Sequence, residues 1–371
     1  APDRLRDFMA RKPDGPLRRG WTTGACATAA TKAAYTALLT GEFPDPVSIL
    51  LPKGERPDFT LVREALGDDV ASAAIVKDAG DDPDVTHLAT IVSTVRIGAP
   101  GSGVVFRAGE GVGMVTREGL PIPPGEPAIN PVPRDLMRGV VAEVARAHGG
   151  SGDVEIEISV PGGEALAKKT WNPRLGIVGG LSILGTTGVV IPFSCSAWIH
   201  SIHRGIDVAR AGGFPLVAAC TGSTSEAAVV RRHGLDETAL LDMGDFVGGM
   251  LKYLRRHPLP KVLIGGGFAK LAKLAQGHMD LHSGRSQVDM DWLAEQLAAV
   301  GGDAGLVERA KGANTALEVL NMALEAGLPL ADRIGALARA EAAAMVAGTE
   351  TEIIVEVFDR KGTLVGAAGE V

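Results

Sequence analysis

The second half of the chain alternates short apolar runs with helical segments, and this rhythm restricts the folds open to it. The runs are Leu216–Cys220, Ala239–Asp242 and Val262–Gly265, and each is followed by a loop of small residues and a helical pattern. Such alternation is typical of a parallel sheet with helices on both sides. Further helical patterns follow, and Thr351–Phe358 predicts a closing strand. We therefore expect residues 175–371 to form an α/β domain with a mostly parallel sheet and flanking helices, a helical C-terminal part and a closing strand.

The first half has a different pattern, with one early helix and several strands. The alanine-rich run 25–39 contains no Gly or Pro and predicts a helix. Segments between 47 and 106 are strand-like, and residues 153–160 alternate strictly between apolar and polar side chains. These patterns predict an α+β domain over residues 20–174 with a largely antiparallel sheet, preceded by a basic N-terminal arm over residues 1–19. The whole chain is thus expected to be of the mixed α/β class.

Composition argues against several kinds of partner. The net charge is −7, which does not suit a nucleic-acid-binding protein. The most apolar stretch, Leu181–Phe193, is interrupted by glycines and threonines and falls short of the ~20 residues that span a bilayer. Glycine accounts for 49 of 371 residues, which is about twice its usual share of ~7%, and many of the glycines are clustered. Clustered glycine is typical of an enzyme that brings its backbone close to a ligand.

Cysteine and histidine patterns narrow the chemistry further. The three cysteines, Cys26, Cys195 and Cys220, form no CxxC pair, so we expect no disulfide scaffold and a reducing, cytoplasmic location. His278 and His282 are four residues apart, but Met279 stands where a zinc protease would carry Glu. We expect no metal site. The sequence leaves the oligomeric state open, with a homodimer as one option.

The segment GWTTGACATAA begins the first predicted helix. Thr22, Thr23 and Gly24 stand at its start, where free backbone N–H groups and the helix dipole favour an anion such as a carboxylate or phosphate. The structural alternative is a capped helix start in which Gly24 is small for packing reasons.

The segment KDAGDDPDVT crowds four carboxylates, those of Asp78, Asp81, Asp82 and Asp84, into seven residues. Such a loop could bind a cation, accept hydrogen bonds from a ligand, or supply a base whose pKa is raised by like charges. The alternative is a solvated acidic turn.

The glycine-rich segment 168–194 combines cations, hydroxyls and points of close backbone approach. It contains Lys168, Lys169 and Arg174, and later Gly185, Thr186 and Thr187. The segment could lie against a large ligand, and the structural alternative is tight packing between domains. Arg134 stands in the first turn of another predicted helix, where a cation is unfavourable, so it is expected to face an acidic partner or a ligand.

Two loops follow predicted parallel strands and suit a cofactor. The first is TGSTSE at 221–226, which follows a strand and opens a helix, and the second is GGG at 265–267 on a neighbouring strand. Ser223 and Glu226 also have the spacing of a capping box, which would explain the first loop by structure alone. The candidate cofactor-binding residues are Thr221, Gly222, Ser223, Ser225, Glu226, Gly265, Gly266 and Gly267.

Taken in order, GWTTGACA, KDAGDDPDVT, GEGVGMVT, AINPVPR and KTWNPRLGIVGGLSILGTTGVV resemble the cobalt-precorrin-5B C-1-methyltransferase family, the CbiD type of cobalamin biosynthesis. The resemblance extends from about Gly20 to His282. It departs from the family pattern slightly at Trp21 and Ala25. It implies S-adenosylmethionine as methyl donor, a cobalt-bound tetrapyrrole as acceptor, cobalt-precorrin-6A as product, and a fold distinct from the other tetrapyrrole methyltransferases of the pathway.

This resemblance gives the motifs candidate roles. A polycarboxylate acceptor needs local cations and donors, and the residues expected to bind it are Thr22, Thr23, Gly24, Lys77, Arg134, Lys169, Arg174, Gly185, Thr186 and Thr187. Asp78, Asp81 and Asp82 are the candidate catalytic residues, which would take a proton or steady positive charge on the ring. Two rival functions remain at this point: a tetrapyrrole carrier without methyl transfer, and a phosphate-handling enzyme, for which the P-loop string is absent.

Overall fold

The computed structural model describes residues 15–371, which divide into two compact units between Ser194 and Cys195. Most of the predicted basic arm, residues 1–14, lies outside the described residues. Within the described part, no helix is long and apolar enough to cross a membrane.

The first unit contains one five-stranded sheet and several two-stranded ladders. Its strands are β1 (Gly20–Trp21), β2 (Val47–Ser48), β3 (Asp58–Phe59), β4 (Arg63–Leu66), β5 (Val70–Val76), β6 (Thr90–Ile97), β7 (Val104–Ala108), β8 (Met114–Val115), β9 (Val154–Ser159), β10 (Ile177–Val178) and β11 (Val189–Val190). Its helices are α1 (Thr23–Thr40), α2 (Pro131–His148) and α3 (Gly163–Ala167). The main sheet has the order β4-β5-β6-β9-β7, and every neighbouring pair is antiparallel except β7 and β9. The predicted largely antiparallel sheet is confirmed.

Helix α1 is the buried element of this unit. Its alanines carry almost no side chain, so the backbone approaches both the sheet and α2 closely, and nearly every residue from Thr23 to Ala34 is buried. Its buried threonines return their hydroxyls to the helix backbone: Thr28 donates to the carbonyl of Gly24, and Thr31 to that of Ala27. The Thr31 hydroxyl also lies 2.7 Å from that of Ser93, which fixes α1 on β6.

The segment after Arg174 stays with the first unit, so the division falls twenty residues later than the boundary expected from sequence. The reason is backbone pairing: β10 pairs with β8, and β11 pairs with β1. Both ladders are only two residues long, and neither has a sequence pattern that would reveal its partner.

The second unit has the predicted mostly parallel sheet. Its strands are β12 (Leu216–Cys220), β13 (Leu240–Leu241), β14 (Lys261–Gly267), β15 (Glu352–Phe358) and β16 (Leu364–Ala368). Its α-helices are α4 (Cys195–Ala211), α5 (Ser223–His233), α6 (Val247–Leu254), α7 (Phe268–Ala275), α8 (Met290–Ala299), α9 (Ala304–Lys311), α10 (Ala316–Glu325) and α11 (Leu330–Met345). The order is β13-β12-β14-β15-β16, and β16 is antiparallel to β15 whereas the other neighbouring pairs are parallel. The mixed α/β fold class is confirmed.

Glycine permits close backbone contact where the segment 109–113 crosses two others. A Cβ built on Gly111 would lie 2.0 Å from the carbonyl oxygen of Val160, and one on Gly180 would lie 2.2 Å from the carbonyl oxygen of Gly111. Gly113 leads into β8 and not into a helix, so the glycines of this segment serve packing and not dinucleotide binding.

We predict that Gly111→Ala destabilises the protein far more than Gly125→Ala. Both glycines have positive φ, which costs a side chain about 1–2 kcal/mol, but an added Cβ at Gly125 meets nothing within 4 Å. At Gly111 the backbone collision adds a further penalty of roughly 1–3 kcal/mol or more. Urea unfolding of the two variants measures the difference, and equal free energies of unfolding would contradict the close contact.

Candidate functional site

Four of the sequence motifs meet at the start of α1 in the first unit. The Trp21 N–H donates to the carbonyl of Asp78 at 2.7 Å, which joins the first motif to the acidic loop. The Gly24 N–H donates to the carbonyl of Leu184 at 3.0 Å, which joins it to the glycine-rich segment. A Cβ on Gly24 would lie 2.7 Å from Cγ of Pro133, at the start of α2. The motifs therefore form one cluster of loops.

Within this cluster, the start of α1 is closed by the protein itself. The Thr22 hydroxyl accepts the Ala25 N–H at 3.1 Å and is the N-cap, and the Thr22 N–H donates to the carbonyl of Gly188 at 2.9 Å. The Thr23 hydroxyl accepts the Leu184 N–H at 3.0 Å. These contacts favour the capped helix start over an anion site at Thr22, Thr23 and Gly24. Gly185 has a φ of +132°, and a Cβ built on it would lie 2.3 Å from Oγ1 of Thr22, so this position also needs glycine.

Two of the crowded carboxylates hold the segment before β1. Asp78 is paired with the Arg18 guanidinium, whose Nη2 lies 2.9 Å from Oδ1, and it also accepts the Gly80 N–H at 2.9 Å. The Arg18 hydrogen bond is the main cause that lowers the pKa of Asp78 to about 2. Asp81 accepts the Arg18 backbone N–H at 2.6 Å. Asp78 therefore does not fit the expected base with a raised pKa.

Asp84 serves as the counter-ion of a buried lysine. The Lys77 side chain is 1% exposed, and its Nζ lies 2.6 Å from the Asp84 carboxylate. Burial alone would raise the pKa of Asp84, but the Lys77 ammonium and hydrogen bonds from Thr86 together lower it. The sequence predicts Lys77 as a substrate-binding residue, but its ammonium is buried inside the loop and paired with Asp84.

Asp82 differs from its neighbours because burial dominates its environment. Desolvation raises the pKa of this carboxyl, with a smaller contribution from nearby Asp84, while the Phe193 N–H, which donates to Oδ1 at 2.8 Å, opposes the shift. Of the three candidate catalytic carboxylates, Asp82 has the environment that the sequence analysis anticipated for a base.

Two strained residues flank the acidic loop. Phe193 and Leu88 are the non-glycine residues with positive φ, +56° and +63°, in the part of the chain that the structure describes. Both contact this loop through their backbone N–H groups. That of Phe193 donates to the Asp82 carboxylate, and that of Leu88 donates to the carbonyl of Lys77 at 2.8 Å. Strain of this kind costs about 1–3 kcal/mol and is concentrated at functional sites. Neither residue can be identified from the sequence, because backbone strain leaves no signal in composition or spacing.

Large apolar side chains are exposed on the same loops. Leu88 is 65% exposed, Leu184 48% and Ile191 51%. Thr186 is exposed beside Leu184, whereas the Thr187 hydroxyl is occupied by the backbone of Val189. The cluster therefore presents apolar surface and a hydroxyl to solvent.

The remaining predicted cations have different surroundings. Arg134 donates to the carbonyls of Ile129 at 2.8 Å and Pro127 at 3.0 Å and pairs with Glu126 at 3.1 Å, so it faces an acidic partner, as expected. Arg174 is buried, and Lys169 is exposed. Among the four cations expected to bind the acceptor, namely Lys77, Arg134, Lys169 and Arg174, Lys169 is therefore the exposed one.

In the second unit, the candidate cofactor loops come together at one edge of the parallel sheet. Cys220 and Gly265 are register partners on β12 and β14, and the Thr221 N–H donates to the carbonyl of Gly265 at 2.9 Å. The chain runs from β12 to β13 on one side and then crosses to β14 on the other, so the strand order reverses here. Open α/β sheets bind their ligands in the crevice at such a switch point, beyond the carboxyl ends of the strands.

The start of α5 is not explained by a capping box. The N-cap is Gly222, which has no side chain to offer, and the helix begins at Ser223. The Ser225 hydroxyl donates to the carbonyl of Gly222 at 2.9 Å, and the Glu226 N–H donates to the same oxygen at 3.0 Å. The capping-box interpretation of Ser223 is therefore wrong.

The glycines at this edge fall into two kinds. A Cβ on Gly265 would lie 2.8 Å from the Val229 side chain, and one on Gly266 would lie 3.0 Å from side chains of its neighbours, so both glycines are needed for packing. At Gly222 and Gly267 a Cβ would meet nothing within 4 Å. Gly222 and Gly267 therefore have free space next to their Cα atoms, whereas Gly265 and Gly266 do not.

Comparison with known proteins gives a consistent result. Residues 10–192 match the sequence model of the family described as CbiD, and residues 280–369 match the one described as CbiD, C-terminal domain. A Paramagnetospirillum magneticum protein named cobalt-precorrin-5B C(1)-methyltransferase is 64% identical over 95% of this chain and 98% of its own length. A protein of the same name from Brucella abortus is 62% identical over 94% of this chain and 95% of its own.

The chain is also similar to a solved structure, the crystal structure of the cobalamin biosynthesis protein cbiD from Archaeoglobus fulgidus. That protein is 28% identical, with 69% of this chain and 78% of that chain covered and a TM-score of 0.40. Because the two named relatives align over almost their whole length at more than 60% identity, the chain belongs to the CbiD family.

Proposed function

We propose that this protein transfers a methyl group from S-adenosylmethionine to C-1 of cobalt-precorrin-5B, which gives cobalt-precorrin-6A in cobalamin biosynthesis. The observation that carries the proposal is the match to two proteins of that name over 94–95% of the chain. The fold supports it, because a parallel sheet with an open switch point suits a nucleoside-containing methyl donor.

The donor is assigned to the switch point of the second unit. Gly222 and Gly267 leave room for a ligand against the backbone, and α5 directs its first N–H groups towards the same edge. Those N–H groups suit the carboxylate of the methionine part. Gly265 and Gly266 shape the floor of this crevice by close packing.

The acceptor is assigned to the loop cluster of the first unit. A tetrapyrrole has an apolar ring with carboxylate arms, and the exposed apolar surface of Leu88, Leu184 and Ile191 is of the kind that such a ring covers. Thr186 and Lys169 are the accessible polar groups of the predicted set and suit the carboxylates.

Other members of the predicted acceptor set contribute indirectly. Lys77 is paired with Asp84 inside the acidic loop, and Arg134 donates to two backbone carbonyls before α2. Lys77 therefore holds the loop that ends at Leu88, and Arg134 holds the segment that leads into α2.

The reaction requires the protein to position the methyl donor against the acceptor and to provide one group that accepts a proton. S-adenosylmethionine supplies a methyl group on a sulfonium, and when that group moves to a neutral ring carbon the positive charge is removed by loss of a proton. Holding the two reactants in line is worth up to ~7–11 kcal/mol. Asp82 is the proposed acceptor of the proton, because its carboxyl has a raised pKa. Cys26 has no part in this, because burial raises the pKa of its thiol to about 12.

The function is tested by anaerobic incubation of the purified protein with S-adenosylmethionine and cobalt-precorrin-5B, followed by mass spectrometry of pigment and spent donor. We expect a pigment heavier by one CH₂, with an equal amount of S-adenosylhomocysteine. A pigment that stays bound to the protein and unmethylated would contradict the proposal and favour a tetrapyrrole carrier.

In the same assay, we predict that Asp82→Asn lowers kcat by about 100-fold or more, the usual contribution of a general base. Asp81→Asn is the matched control, since Asp81 is the adjacent residue of the same loop and its carboxylate also accepts a backbone N–H. Its contact with Arg18 is structural, so Asp81→Asn should retain most of the wild-type kcat.

The pH dependence gives the role of Asp82 a second readout. A carboxyl with a raised pKa loses its charge as the pH falls through that pKa, so the wild-type kcat declines on the acid side at a higher pH than an ordinary Asp would give. Asp82→Asn removes this acid limb. Full turnover of Asp82→Asn with the limb intact would show that another group takes the proton.

A further inference from the structure

Two lysines share one carboxylate at the start of α7, and the proposed function has not used either of them. Lys270 and Lys273 are the third and sixth residues of this helix, which follows Gly267 at the carboxyl end of β14. The Lys270 ammonium lies 2.6 Å from the Asp245 carboxylate. Both ammonium groups also donate to the carbonyl of Leu281, Lys270 at 3.0 Å and Lys273 at 3.1 Å. Two positive charges therefore meet at one oxygen.

The charges of this cluster do not balance. The carboxylates that act on the Lys273 ammonium are those of Asp245 and Asp280. Asp245 is paired with Lys270, and Asp280 is paired with Arg285. Three cations therefore stand against two carboxylates, and within residues 15–371 Lys273 is the cation of this cluster that has no carboxylate of its own.

Lys273 is buried although its charge has no counter-ion. It is 6% exposed, and of its three N–H donors one is used, in the hydrogen bond to Leu281, among the residues that the structure describes. Burial lowers the pKa of this amine, and the charge of Lys270 lowers it further. Lys270 itself stands in the first turn of α7, where the helix dipole disfavours a cation. A bound anion would offset all of these effects.

The lysine cluster lies on the opposite face of the sheet from α5. A Cβ on Gly265 would lie 2.8 Å from Val229 of α5, whereas one on the next residue, Gly266, would lie 3.0 Å from Leu271 of α7. Successive residues of a strand face opposite sides of the sheet, so the two helices cover opposite faces. The cluster is therefore separate from the start of α5, although both helices begin at the same edge of the sheet, where Gly267 leaves free space.

We propose that Lys270 and Lys273 form an anion site that binds a carboxylate of one of the two reactants. This inference rests on the proposed function, because the methyl donor carries one carboxylate and the tetrapyrrole acceptor carries several. A carboxylate has about four acceptor positions and can receive N–H groups from both ammonium groups. Lys273 makes the principal contact, because Lys270 keeps its pair with Asp245. Both lysines bind and orient the reactant and take no part in the proton transfer.

Urea unfolding of the protein without ligand tests the charge imbalance. Lys273→Met removes an ammonium that lacks a counter-ion, and the Leu281 carbonyl keeps its hydrogen bond from Lys270, so the midpoint should equal or exceed that of the wild type. Lys270→Met is the matched variant, because it leaves the buried Asp245 without its partner, and its midpoint should fall. Equal falls in the two midpoints would overturn the inference, because Lys273 would then be a structural cation.

Calorimetry then identifies the reactant whose carboxylate is bound. The probes are S-adenosylhomocysteine, its decarboxylated analogue and, under anaerobic conditions, cobalt-precorrin-5B. A hydrogen bond between charged groups is worth roughly 10-fold or more in affinity, so Lys273→Met should weaken the binding of one reactant by about that factor. Lys252→Met, which changes an exposed lysine of α6, is the control and should keep the wild-type affinities.

The pattern of the loss names the source. If the donor supplies the carboxylate, Lys273→Met weakens S-adenosylhomocysteine and not its decarboxylated analogue, and the start of α5 is then not the site of that group. If the acceptor supplies it, S-adenosylhomocysteine keeps its affinity and cobalt-precorrin-5B loses it. Either result supports the anion site.

The remaining outcomes separate this inference from the proposed function. Unchanged affinity of Lys273→Met for both reactants would overturn the anion site and leave the proposed function intact. If the wild type binds neither reactant, the proposed function fails together with the inference. Because Lys273→Met is expected to be at least as stable as the wild type, loss of affinity in this variant cannot be attributed to unfolding.

Discussion

The alignment of β12 and β14 is the constraint on which the second unit depends. Their parallel register brings Cys220 beside Gly265 and lets the Thr221 N–H reach the carbonyl of Gly265, at the point where the strand order reverses. β14 carries no side chains at this level, because Gly265 and Gly266 stand there, and a Cβ on either would lie 2.8–3.0 Å from a neighbouring side chain. The carboxyl ends of these two strands therefore carry mostly backbone and lie next to the start of α5, and this edge is the proposed site of the methyl donor.

In the first unit, the main constraint is the repulsion among the four carboxylates of the acidic loop. Asp78 and Asp81 hold Arg18, and Asp84 neutralises the buried ammonium of Lys77. Asp82 instead accepts a backbone N–H, and burial raises its pKa while the Arg18 pair lowers that of Asp78. The four carboxylates are therefore not equivalent. Asp78, Asp81 and Asp84 have structural partners, and Asp82 is the one whose environment suits proton transfer.

The elements that could be predicted from sequence are those with a local signal. The alanine-rich run predicted α1, strict alternation predicted β9, and short apolar runs followed by helices predicted the parallel sheet of the second unit. The division between the units was displaced because β10 and β11 are held by two-residue ladders with distant partners. Burial of Lys77 and the positive φ of Phe193 and Leu88 arise from tertiary packing, so no spacing in the sequence reveals them. The roles assigned to the site residues stay predictions.

The account is tested most directly by a crystal structure of the protein with S-adenosylhomocysteine. We expect density for the ligand against residues 221–226 and 265–267, with its carboxylate at the start of α5. Density in another part of the chain, with the switch point unchanged and open, would contradict the assignment of the donor site and with it the physical argument drawn from the order of the strands.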